Sequence, residues 1–116
     1  LSLPLGLLVS LTNWGEIELF HGQFDAAREH FQSALALDAQ KQNYPEKLAL
    51  AYYGMAHIAL HEQNVEKARE HSAESVRLFK QIGHYKAQEV QAWIEALPED
   101  HAMLPGQISK AQEGTA

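Results

Sequence analysis

Ala27-Arg28-Glu29-His30 returns forty-one residues later as Ala68-Arg69-Glu70-His71, and this recurrence decides how the chain folds. Outward from it, Ile17 and Leu19 return as Ile58 and Leu60, Leu37 as Leu78, Tyr44 as Tyr85, and Ala51 as Ala92. A fixed offset carried on helix-forming composition marks a stacked repeat. One unit cannot bury its own apolar face and buries it on a neighbour.

The punctuation between repeats sets the helices. Pro4 suits the first turn of a helix, where its missing N–H would be unpaired anyway, and Gly22 suits the left-handed position just past a helix end. The first helix is expected from about Pro4 to His21. The second is expected from about Phe24 to Gln40, with Phe24, Ala27, Phe31, Ala34, Leu35 and Leu37 at helical spacing. Lys41 to Tyr44 reads as a polar loop. Pro45 opens a third helix to Glu62, with Leu48, Tyr52, Met55, Ala56 and Ala59 on one side. Asn64 caps a fourth helix over Val65–Ile82, and Gly83 ends it. A fifth spans Tyr85 to Leu97, its apolar side made of Val90, Trp93, Ile94 and Leu97, and Pro98 stops it. No strand pattern is present. The expected fold is all-α: five helices with short connections and antiparallel neighbours, arranged as a helix-hairpin repeat array. Repeat one covers about 5–42, repeat two about 45–83, and a partial third 85–97, together a helical domain over 1–97. Residues 98–116, with two prolines, two glycines and little periodicity, read as a flexible tail or linker. Met103, Leu104 and Ile108 in it are candidates to dock on an exposed helix.

Composition narrows the function classes. The net charge of -6 argues against a nucleic-acid backbone binder, which needs a basic face to release counterions. It equally disfavours an anionic membrane surface. The absence of cysteine removes disulfide and thiolate chemistry and fits a reducing cytoplasm. The opening LSLPLGLLVSL lacks the basic region and small-residue cleavage site of a signal peptide. Asn13, Glu16 and Glu18 interrupt its apolar run too early for a membrane span. The chain reads as a piece of a longer protein, beginning just before a helix whose apolar side meets a preceding repeat.

At these positions the chain resembles the tetratricopeptide repeat family. Leu11, Trp14 and Gly15, then Gly22-Gln23-Phe24, then Ala27, Phe31 and Ala34 follow that family's pattern in repeat one. Tyr52, Met55, Ala56, Val65, Ala68, Ser72 and Ser75 follow it more loosely in repeat two. Trp93, Ala96 and Leu97 follow it in the third. The usual first-helix Tyr is replaced by Glu18 and Ala59, and the offset of forty-one residues is longer than the family's usual unit. Units of this length are similar to those in sensor regions of bacterial signalling ATPases and transcription regulators, the MalT-like group among them. The resemblance implies a non-catalytic scaffold that binds a protein or peptide, within a larger bacterial signalling or regulatory protein.

In such a stack the first helices line the concave side. Carried over position by position, the candidate groove residues are Val9, Thr12, Asn13, Glu16 and Phe20 from repeat one. Leu50, Tyr53, His57 and His61 follow from repeat two, and Gln91 and Ile94 from the third. This mix of aromatic, amide and imidazole groups suits an extended peptide or a docked helix. A carboxylate clamp of Lys, Arg and Asn is not expected: the first helix has no Lys or Arg, and Lys47 is the only basic residue on the third.

Two rival readings remain. The module exists to dimerise through apolar ends of the first or fifth helix, or His57 and His61, four apart, hold a metal or small ligand. No third ligand stands nearby in sequence, and the reading of these histidines as groove-lining or solvated is preferred. The recurrence of His30 and His71 reads as repeat ancestry or packing. Glu29, Glu70 and Glu74 share helices with Arg28, Arg69 and Arg77 and read as an exposed charged face. Ser72 and Ser75 fall at packing positions. No GxSxG, phosphate loop or paired carboxylate is present, so neither an enzyme nor a cofactor is expected.

Overall fold

A computed structural model describes residues 3–38 and 43–98; Met103, Leu104 and Ile108 lie outside them. Among the described residues the chain is wholly helical. The elements are α1 (Leu3–Phe20), α2 (Phe24–Leu37), α3 (Pro45–His61), α4 (Val65–Gln81) and α5 (Lys86–Glu95). α1 packs on α2, α3 on α4, and α4 on α5, while α3 also meets α2 and α1.

Local chemistry ends each helix where it ends. Gly22 and Gly83 hold φ of +77° and +65°. Gln63, the repeat equivalent of Gly22, takes φ of +64°, left-handed backbone that a side-chain-bearing residue rarely adopts. The Asn64 carboxamide accepts from the Lys67 N–H at 3.0 Å and caps α4. α2 stops at Leu37, earlier than the periodicity suggests. Asp38 is buried, and its Oδ2 accepts the N–H groups of Asn43 at 3.1 Å and Tyr44 at 2.9 Å. A carboxylate committed to the start of α3 ends α2 and fixes the connection between the repeats.

The core runs through both repeats. Ala27, Phe31, Ala34, Leu48, Ala49, Ala51, Leu78, Phe79 and Val90 are fully buried. Phe31 lies between two glycines: a Cβ at Gly15 would stand 2.6 Å from its ring, and one at Gly54 closer still. The close crossing therefore involves Gly54 of α3 as well as Gly15 of α1. Buried hydroxyls are satisfied inside the protein. Ser75 Oγ donates across to the Ala49 carbonyl at 2.7 Å, and Ser72 Oγ to the Ala68 carbonyl at 2.6 Å.

Two expectations change. The apolar side of α5 is turned inward: Val90 and Leu97 are buried, while Trp93 and Ile94 are half-buried. Leu97 and Trp93 join Ala59, Leu60, Val65 and Ala68 in a second cluster, so α5 is not a bare apolar end. The arginines at the repeated positions are not on a merely solvated face. Arg28 reaches Glu62 beyond the end of α3, and Arg69 donates to the Pro98 carbonyl beyond α5. At the same repeat position, each arginine ties its helix to the end of the following one.

Candidate functional site

The helix period places Glu16, Leu19 and Phe20 along one side of α1 and Leu50, Tyr53, Gly54 and His57 along one side of α3. With Lys86 at the start of α5, these residues line a cleft of about 340 Å³. A second hollow of about 410 Å³, lined by Asn13, Glu16, Ile17, Phe20 and His21, shares Glu16 and Phe20 with the first. Phe20, 87% exposed, is the ridge between them.

Two of the lining rings, Tyr53 and His57, pack on each other and on Trp93. Tyr53 meets His57 and Trp93 with ring centroids at 4.7 and 5.5 Å, and His57 meets Trp93 at 4.5 Å. Each ring restricts the others, so this cluster is preformed and costs little ordering on binding. Burial raises the Tyr53 pKa, and the Glu89 charge raises it further. Burial lowers the His57 pKa, with Glu89 opposing, so the imidazole is neutral near pH 7. Burial likewise raises the pKa of the Glu16 carboxyl, while Lys47 and Lys86 pull it back down. The cleft thus offers an apolar and aromatic lining with an acid and two ammonium groups about its edge. Like Lys47, Lys86 was missed by the groove carry-over. Its distance from Lys47 in sequence gives no sign that both act on Glu16.

The other expected residues are placed differently. Thr12 is fully buried, its hydroxyl donating to the Leu8 carbonyl at 2.8 Å, and cannot offer its side chain to a ligand. A hydroxyl that satisfies itself on its own helix can enter a core, so its polarity was a poor guide. His61 leaves the cleft. Its ring stacks on Phe24 with centroids 3.8 Å apart, beside a separate hollow at the α1–α2 turn. Gln91 Nε2 donates to Glu95 Oε2 at 3.2 Å along α5.

His57 and His61 therefore take different neighbours, and among the described residues no group of three His, Cys, Asp or Glu side chains is placed to hold a metal. His30 stacks on Trp14 with centroids 4.9 Å apart, and its Nδ1 lies 2.6 Å from Glu18 Oε1. The Glu18 carboxylate thus holds His30. In repeat two Ala59 stands where Glu18 does in repeat one, and His71, the counterpart of His30, tilts against Tyr52 instead. Among the described residues, no helix is long and apolar enough to cross a membrane. Comparison with protein-family models, curated proteins and solved structures finds no match to this chain.

Proposed function

We propose that this chain is a non-catalytic, tetratricopeptide-like module that binds a peptide or protein segment in the cleft between α1, α3 and the start of α5. It would serve as a scaffold or sensing part of a larger signalling protein. The observation that carries the reading is the convergence of Phe20, Leu50, Tyr53 and His57 on one open, preformed cleft. Concave apolar surfaces with a few placed polar groups are where ligands settle. The rim charges suit a segment carrying both signs around an apolar or aromatic anchor, with an acidic group near Lys86. The test is selection of peptides from a displayed random library, followed by amide NMR mapping of the bound protein. The reading expects shifts centred on Glu16, Phe20, Leu50 and His57. Selected peptides that shift only residues outside α1, α3 and α5 would refute it.

A further inference from the structure

The repeat allows each face of α1 to be compared with its counterpart on α3. Leu7, Trp14 and Ile17 correspond to Leu48, Met55 and Ile58. On α3 these residues are 0%, 9% and 1% exposed and belong to the core shared with α2. On α1 they are 44%, 58% and 56% exposed. A face this fold buries in one repeat therefore stands in solvent in the other, on the side of Ile17 rather than the cleft side of Leu50 and Tyr53. We infer that this face of α1 is an interface that a second copy of this chain covers, by packing its own α1 antiparallel on the first.

The stripe is built for itself. Leu7, Ser10, Trp14, Ile17 and His21 alternate at intervals of three and four, the spacing of a two-helix seam. With a two-fold axis beside residue 12, Trp14 of each copy lies over Ser10 of the other, and Leu7 faces Ile17. Large thus meets small where Trp14 lies over Ser10, as close packing favours, and two aliphatic side chains meet where Leu7 faces Ile17. A parallel pair would set Trp14 against Trp14 and leave a gap at Ser10. Charge does not oppose the contact despite the net charge of -6. α1 carries no Lys or Arg, Glu18 is turned in to His30, and Glu16 faces the cleft. Leu5 and Phe20 also lie on α1, and the other exposed large apolar residues among the described residues, Leu37, Ile82 and Tyr85, lie on or between other helices, so among those residues α1 offers the one such stripe.

This inference does not rest on the cleft reading, and its test is separate. Sedimentation velocity of the full chain, from micromolar to millimolar concentration, should show the mass rising from 13.0 kDa towards twice that value. Trp14→Glu should weaken the association at least about tenfold, as loss of a central aromatic anchor does. Ser10→Trp, which fills the hole and leaves every buried residue in place, should do the same. Tyr85→Glu, another exposed aromatic, should leave association unchanged. Circular dichroism confirms that each variant stays helical. A monomer throughout the range would overturn the inference, as would association that survives both Trp14→Glu and Ser10→Trp.

Discussion

Phe31 occupies a slot that exists because Gly15 and Gly54 carry no side chain. Two effects compete when either becomes alanine. Helix propensity gains about 1 kcal/mol, while forcing a methyl into a packed ring costs about 1–3 kcal/mol. The ring is fenced on both sides, so the clash wins. Gly15→Ala and Gly54→Ala should each lower stability by about 1–2 kcal/mol in thermal or urea unfolding. Gly6, also helical, has nothing within 4 Å of an added Cβ, and Gly6→Ala should instead raise stability by about 0.5–1 kcal/mol. Equal effects at the three positions would contradict the slot. A second residue-scale consequence comes from His57 and His71, whose pKa values burial holds below the usual 6.5. As pH falls through 6.5, the unfolded chain takes up protons that these folded imidazoles refuse, so stability drops until the depressed values are passed. Glu16, raised above 4.5, works the other way: its contribution is present at low pH and is lost as pH rises through its folded value. Between pH 7 and about pH 5, the melting temperature of His57→Gln should therefore fall less than that of the parent chain. Parallel curves would show that His57 titrates as it does in the unfolded chain.

At the scale of elements, helix ends decide how the two hairpins join. Asp38 connects the end of α2 to the N–H groups of Asn43 and Tyr44, just before α3, through two hydrogen bonds. Asp38→Ala leaves those donors short of a buried acceptor and should cost about 1–3 kcal/mol. Asn64→Ala removes a single exposed cap and should cost about 1 kcal/mol. Denaturant unfolding separates the two, and a larger loss at Asn64 than at Asp38 would contradict this ranking. The helices themselves were legible because proline, glycine and asparagine mark their ends locally: Pro45, Gly22, Asn64 and Gly83 all stand where the sequence placed them. The end of α2 was not, because its determinant is a side chain reaching forward across the connection. Trp93 and Val90 were misjudged as uncovered for a related reason. Periodicity shows that α5 has an apolar side, but not that Tyr53, His57 and Leu60 are there to receive it.

For the whole molecule, the repeat offset carried most of the information. It identified the buried face through Ala27, Phe31 and Ala68, while the groove positions implied by the family resemblance included Glu16, Phe20, Leu50, Tyr53 and His57, which line the cleft. The carried-over set failed at Thr12, whose hydroxyl is satisfied within α1, at His61 and Gln91, which pair with Phe24 and Glu95, and at Lys86, which it did not include. The central claim is that this cleft binds a peptide. Tyr53 is a confounded probe of it, since the ring is half-buried against Trp93 and its loss disturbs stability and binding together. Phe20, 87% exposed on the ridge of the cleft, has little to lose on truncation except ligand contacts. Calorimetric titration of a display-selected peptide into the parent chain and Phe20→Ala is therefore the most direct measurement. The account predicts binding weakened by about 1–3 kcal/mol, the range of a modest hot spot, with the melting temperature unchanged. Undiminished affinity in Phe20→Ala would contradict it.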